Sequence, residues 1–188
     1  MDDYEVSATY FGAVADGLKR VGRLEAVLAA CPSDAAAVLQ NPWLETWHPA
    51  RLLEAVGDAV LSVAGAATFE EIGYRTMRTR YGDIVLPMLK RSLKSSGNSP
   101  AAIFATLDGQ VKAAMRGLDV RWRPASPTAG VLTITYPRVV GAPVEATWRG
   151  IFRFVFEVCQ KQGTVEKLER LEDGAVLGWT LSWEPPPA

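Results

Sequence analysis

The chain has 188 residues, 48% of them hydrophobic and 22% charged, with a formal net charge of −1 at pH 7. This length and composition predict a single globular domain over 1–188, and the balanced charge excludes a global basic field that would hold nucleic acid. No apolar run approaches the roughly 20 residues that span a bilayer, and the first residues lack the pattern of a secretory signal. We therefore expect a cytoplasmic protein with no membrane span and no nucleic-acid partner.

The first part of the chain, residues 1–116, is predicted to be mostly helical. Pro49 suits the first position of a helix, where its missing N–H is not needed, and Gly65 can end that helix. Thr68 and Glu71 have the spacing of a capping box, in which each side chain bonds a backbone donor at the other's end. The predicted elements are, in chain order, a β-leaning start over 6–11 and helical segments over 13–21, 24–30, 34–40, 49–65, 68–81, 83–94 and 100–115.

The second part, residues 117–184, is predicted to have the order β-β-α-β-β. Apolar and polar residues alternate over 118–124 and 131–136, which is the pattern of strands with one buried face. A long helix over 143–161 begins at a proline, and a β-hairpin over 164–183 follows it. Because helices and strands are segregated, the sequence predicts an α+β fold. In that fold an N-terminal helical region packs on an antiparallel sheet of about four to five strands, with a long buried helix before a C-terminal β-hairpin.

Few residues of the kinds that carry chemistry are present. His48 is the only histidine, and it precedes a proline at a predicted helix entrance, so we predict a surface or capping residue. Cys31 and Cys159 lie in apolar helical segments, which predicts buried, unpaired thiols. Glycine-rich phosphate loops and the serine-centred elbow of hydrolases are absent. The sequence therefore predicts no catalytic residue, no metal and no cofactor.

The long helix over 143–161 carries apolar residues on more than one side. Trp148 belongs to one apolar face, and Phe152 and Phe156 belong to a second. A helix with so narrow a polar arc is buried on more than one side. One side can pack on the sheet, while the other can meet the N-terminal helices, a second subunit or an apolar ligand.

The polar margin of the same helix is a row of four charges. Glu145, Arg149, Arg153 and Glu157 follow one another at i, i+4 spacing. Because opposite charges at this spacing attract, the row neutralises itself and predicts a solvated ridge. An anion-binding cleft or a contact with a partner is the alternative.

A likeness to a known family spans most of the chain. It rests on VSATYFGAV, PARLLEAVGDAVLSVAG and TFEEIGYRTMRTRYGDIVLPMLKRSL, and continues in ITYP, WRGIFRFVFEVCQKQG and DGAVLGWTLSW. These segments resemble a paralogous family of myxobacterial proteins of about this length. That family is similar in turn to the superfamily of haem-NO-binding domains, four-vinyl-reductase-type ligand domains and trafficking-complex subunits. The resemblance implies an α+β fold and small-molecule sensing or protein scaffolding, often as dimers, without catalysis.

The chain departs from the haem-binding members of that superfamily. Those domains use a central proximal histidine and a Tyr-x-Ser-x-Arg motif that grips the haem propionates. Here His48 lies too early in the chain for the first feature. The segment YRTMR, from Tyr74 to Arg78, echoes the second but lies on a predicted helix. These departures predict a domain of this type that binds no haem.

Three hypotheses about function stay open at this point. The first is a non-enzymatic binding or regulatory domain that senses a small apolar or amphipathic ligand or contacts a protein partner. The second is a purely structural homodimer or scaffold module, and the third is an enzyme that uses carboxylates and arginines. The candidate pocket or interface residues are Met88, Trp148, Phe152 and Phe156 as apolar lining, with Arg75, Arg78 and Arg149 to hold an anionic group at the mouth.

Overall fold

The computed structural model describes residues 4–78, 86–88, 91, 93, 97–168 and 175–185. The helices are α1 (Ala8–Arg20), α2 (Leu24–Ala30), α3 (Ser33–Gln40), α4 (Ala50–Ala64), α5 (Ala66–Arg78), α6 (Pro100–Lys112) and α7 (Ala142–Val158), with a 3₁₀ turn at Pro42–Leu44. The strands are β1 (Glu5–Ser7), β2 (Trp47–Pro49), β3 (Met115–Arg116), β4 (Asp119–Ser126), β5 (Ala129–Thr135), β6 (Gly163–Lys167) and β7 (Val176–Trp183). The predicted helix over 83–94 and the predicted turn of the last hairpin lie largely outside these residues. None of the described helices is long and apolar enough to cross a bilayer.

The four long strands form an antiparallel sheet in the order β4-β5-β7-β6. In this register Leu132 of β5 is paired with Trp179 of β7, and Ile134 is paired with Leu177. All four side chains are buried, and α7 packs on them, with the ring of Phe152 centred 5.1 Å from that of Trp179. The α+β fold is confirmed, including the long buried helix before a C-terminal hairpin.

A second, smaller sheet was not predicted. It has three short strands in the order β2-β1-β3, and Val6 of β1 is paired with both His48 and Met115. The prediction that His48 is a surface or capping residue is wrong, because its side chain is buried and its Nε2 lies 2.8 Å from the Pro42 carbonyl oxygen. Strands of two or three residues are too short to show an alternating pattern.

The helix starts differ from the predicted caps. α5 begins at Ala66, so Thr68 lies inside its first turn and donates a hydrogen bond to the Ala64 carbonyl over 2.7 Å. Glu71 instead accepts hydrogen bonds from two arginines, and the predicted capping box is therefore wrong. Pro49 precedes the first residue of α4, whereas Gly65 ends that helix with a φ of 76°, as predicted.

The second apolar side of α7 is covered by this chain's own helices. α5 crosses α7 so closely that two glycines are needed at the contact: a Cβ on Gly73 would overlap the Thr147 carbonyl, and one on Gly150 would overlap the Glu70 carbonyl. α6 places Phe104 against the other aromatic side of α7. The middle of α7 is therefore a core helix, with its apolar sides covered by the sheet, α5 and α6.

Candidate functional site

An apolar cavity of about 90 Å³ lies where the start of α7 meets α4 and α5. Its mouth is bordered by two exposed residues, Asp58 on α4 and Gly141 just before α7. The apolar lining comes from α1, α4, α5, α7 and β3, and consists of Val14, Leu53, Val56, Val60, Phe69, Ile72, Met115, Pro143 and Val144.

The sequence of α4 explains which of its residues line the cavity. Leu53, Val56 and Val60 recur at helical spacing, so they share the face turned toward α7. Gly57 lies in the same stripe, where a Cβ would be 3.4 Å from the Cβ of Pro143. A small residue at this position brings the two helices together and leaves the space beside them open.

A hydrogen bond between two aromatic side chains forms the deep polar part of the cavity. Trp148 of α7 donates its Nε1–H to the hydroxyl of Tyr136, which follows β5, over 2.6 Å. Both side chains are buried, and both line the cavity. Burial raises the pKa of Tyr136, which keeps the phenol protonated and leaves its own proton available to an acceptor.

The mouth carries a second polar group built around Glu54. The Tyr4 hydroxyl donates to Glu54 Oε1 over 3.1 Å, and Arg138 donates to Glu54 Oε2 over 2.8 Å. The rings of Tyr4 and Tyr136 meet edge to face with centres 5.5 Å apart, so the two polar groups are neighbours. Burial raises the pKa of Tyr4, and the adjacent Tyr136 and Glu54 raise it further.

The predicted pocket residues are distributed over different parts of the molecule. Trp148 lies at the cavity, as the hypothesis required. Phe152 is fully buried between the sheet and α6, and Phe156 packs on Phe104 and Trp183. Met88, which was expected to line the pocket, is 61% exposed. Whether these residues bind anything stays a prediction.

The predicted arginines do not reach the cavity mouth. Arg75 is ion-paired with Glu71 over 2.6 Å, and Arg78 donates to Glu157 and to the Tyr74 hydroxyl. Arg149 lies 3.8 Å from Glu145 in a loose ion pair. The arginine beside the cavity is Arg138, which sequence reasoning missed.

A second depression, an open polar groove of about 390 Å³, contains two of the predicted residues. It is lined by Glu70, Arg149, Arg153, Phe156, Glu157, Lys161, Gly163 and Val165. Arg153 is paired with Glu71 over 2.6 Å and lies 4.1 Å from the Tyr74 ring centre, so its charge is shared across the α5–α7 contact. The charged row of α7 is thus neutralised in part by α5, which pairs with Arg153 and Glu157, and in part by Lys167 of β6, which pairs with Glu145.

Comparisons with solved structures identify the fold. An Fe(II) unliganded H-NOX protein from K. algicida superimposes with a TM-score of 0.72, at 10% identity over 96% of this chain and 97% of that one. An oxygen-binding H-NOX domain related to soluble guanylate cyclases gives 0.67 at 13% identity, with 96% of each chain covered. A Cs H-NOX mutant gives 0.67 at 13% identity over 96% of this chain and 97% of that one.

The fold is that of the H-NOX domains. The distant similarity to haem-NO-binding domains that the sequence suggested is therefore confirmed at the level of fold. Neither a scan against protein-family models nor a search of the curated proteins finds a match. The H-NOX likeness is one of backbone fold, since the sequence identities are only 10–13%.

The described residues around the cavity do not fit a haem. Haem iron in proteins is held by an axial side chain, a proximal histidine in many cases, and His48 is instead bonded to Pro42 and packed on the Phe11 ring, outside the cavity lining. The cavity of about 90 Å³ is also well below the roughly 300–1,000 Å³ typical of sites for larger ligands.

The segment YRTMR does not form a propionate site either. Tyr74 and Arg78 turn toward Glu157 on α7, while Thr76 is buried beside Gly17 of α1. The three side chains therefore diverge instead of meeting at one anion. Among the described residues, no group of three or more His, Cys, Asp or Glu side chains is placed to hold a metal ion.

Proposed function

We propose that this chain is a non-enzymatic binding domain that senses a small apolar molecule in the cavity between α4, α5 and α7. The observation that carries the proposal is the cavity itself: its walls are aliphatic and aromatic, and one hydrogen-bonded pair, Trp148 and Tyr136, lies inside it. Small-molecule sites have this composition, an apolar lining with a few placed polar groups.

The size of the cavity restricts the ligand. An engineered apolar cavity of about 150 Å³ holds benzene or xenon and stays free of water. A site of about 90 Å³ suits a molecule of a few heavy atoms. One H-NOX neighbour is described as oxygen binding, and we propose that this chain keeps small-molecule sensing on the same fold without the haem.

Three further parts of the proposal rest on the sequence. The first is that the chain is related to a myxobacterial paralogous family. The second is that a protein partner binds differently to the ligand-free and the ligand-bound domain. A cytoplasmic location is the third. It is supported by Cys31 and Cys159, which are both free thiols; burial raises the pKa of Cys159 to about 12, which makes it inert.

Xenon is the probe that tests the proposal, because it needs only a dry space of suitable size. A xenon-pressurised crystal should show xenon beside Trp148, and ¹²⁹Xe spectra in solution should show saturable binding. Gly57→Ala adds one methyl group at the cavity wall, where the nearest atom is 3.4 Å away, and should weaken binding without a clash.

The matched control is Gly109→Ala on α6, where a Cβ would meet nothing within 4 Å. Both changes remove a helical glycine and should raise stability by up to about 1 kcal/mol each. Only Gly57→Ala should lower xenon binding. The proposed site is refuted if xenon does not bind in the cavity, or if the two variants bind xenon equally well.

A further inference from the structure

The charges around the cavity are unevenly distributed. Among the described residues that line it are two carboxylates, Glu54 and Asp58, and no lysine, arginine or histidine. The two acids are four residues apart on α4, so they lie on the same side of the helix, at the mouth. Arg138 is the cation nearby, and it is ion-paired with Glu54 over 2.8 Å.

Glu54 uses both of its oxygens within the protein. One accepts from Tyr4 and the other from Arg138, and the Arg138 and Glu54 side chains are only 36% and 27% exposed. Partial burial strengthens such a charge-assisted pair compared with one in open water. An anionic ligand at the mouth would need the positive charge of Arg138, which is already bound to the carboxylate of Glu54.

We infer that Glu54 is an internal carboxylate that restricts the cavity to uncharged ligands. The inference rests on the proposed function and specifies its ligand class: a small neutral molecule, apolar over most of its surface, with at most one acceptor for the Tyr136 hydroxyl. A carboxylate that entered the cavity would lose its hydration without gaining a cation, and Glu54 would repel it.

Acetamide and acetate test the inference, because they share a shape and differ in charge. Titrations of the ¹⁵N-labelled full chain would follow the indole N–H signal of Trp148, which lies at the cavity and is identified with Trp148→Phe. In the wild-type protein acetamide should shift this signal at concentrations at least tenfold below those needed for acetate. If the wild-type protein binds acetamide and acetate with equal affinity, this measurement alone overturns the inference.

Glu54→Gln keeps the side-chain shape and an acceptor for Tyr4 but releases Arg138. It should strengthen acetate binding at least tenfold and leave acetamide binding within about threefold. Adding Arg138→Gln to this variant should return acetate to the wild-type level. Asp58→Asn is the matched control, because it removes one negative charge from the same mouth and frees no donor, so acetate should change by less than about threefold.

The outcomes separate this inference from the proposed function. If acetamide and xenon both leave the wild-type cavity empty, the proposed function fails, and a gain of acetate binding in Glu54→Gln would still show that Glu54 blocks Arg138. If xenon binds but Glu54→Gln gains no acetate binding, the anion-exclusion role of Glu54 is wrong and the proposed function stands.

Discussion

Gly150 of α7 faces the backbone of Glu70 on α5, at a distance that excludes any side chain at position 150. A Cβ there would overlap the Glu70 carbonyl and lie 2.6 Å from the Tyr74 amide nitrogen. This contact fixes the distance between the two helices, and the start of α7 then forms one wall of the cavity. A residue outside the site thus contributes to the geometry of the site.

Gly150→Ala should destabilise the protein by about 1–3 kcal/mol or more, because the added methyl group meets backbone atoms that cannot turn away. The free energy of unfolding from denaturant titration measures this loss. Gly109→Ala is the control for the change in helix propensity, and it should be neutral or stabilising. Equal stability of the two variants would show that the helices do not cross this closely.

The long helix and the sheet could be predicted from the sequence because each follows a periodic pattern. Leu177, Trp179, Leu181 and Trp183 alternate along β7 and are all buried, as the period of two requires. The two apolar sides of α7 were also evident. What covers the second side was not, because Gly73 and Gly150 signal a close helix contact only once the two helices are known to be neighbours.

The polar residues of the cavity mouth could not be predicted from the sequence for a related reason. Tyr136 and Arg138 were visible in the TYPR segment after β5, but their partners Tyr4 and Glu54 come from other parts of the chain. The hydrogen bond from Trp148 to Tyr136 joins a helix to the end of a strand. Hydrophobic periodicity assigns residues to faces, and it does not determine which polar atoms meet across them.

Trp148 and Tyr136 should prove energetically coupled. Trp148→Phe leaves the Tyr136 hydroxyl without its donor, and Tyr136→Phe leaves the buried indole N–H without its acceptor, each at a cost of about 1–3 kcal/mol. The double variant removes both polar atoms, so its loss should be smaller than the sum of the single losses. A double-mutant cycle of unfolding free energies measures the difference, and strict additivity would argue against the hydrogen bond.

The buried tyrosines predict a loss of stability in alkali. Burial raises the pKa of Tyr4 and Tyr136 in the folded protein, whereas in the unfolded chain they ionise near their ordinary pKa of about 10. The folded state therefore keeps protons that the unfolded state loses. Their contribution is complete below about pH 10 and falls by up to about 1.4 kcal/mol per pH unit and per tyrosine above it.

Unfolding free energies between about pH 9 and about pH 11 check this expectation. Tyr136→Phe removes one of the two groups and should make the decline shallower than in the wild-type protein. Lysine ionisation contributes equally to both curves and cancels in the comparison. Identical slopes would mean that Tyr136 is not protected from ionisation, in conflict with its burial.

His48 should contribute to the stability of the fold and should not bind a haem. His48→Ala leaves the buried Pro42 carbonyl without its partner and removes a ring packed edge to face on Phe11, so a loss of about 1–3 kcal/mol is expected. Protein produced in cells supplied with a haem precursor should purify without a Soret absorption band, and the variant should give the same spectrum. A haem spectrum that His48→Ala abolishes would contradict this, because it would require His48 to leave Pro42 and reach a cavity that it does not line.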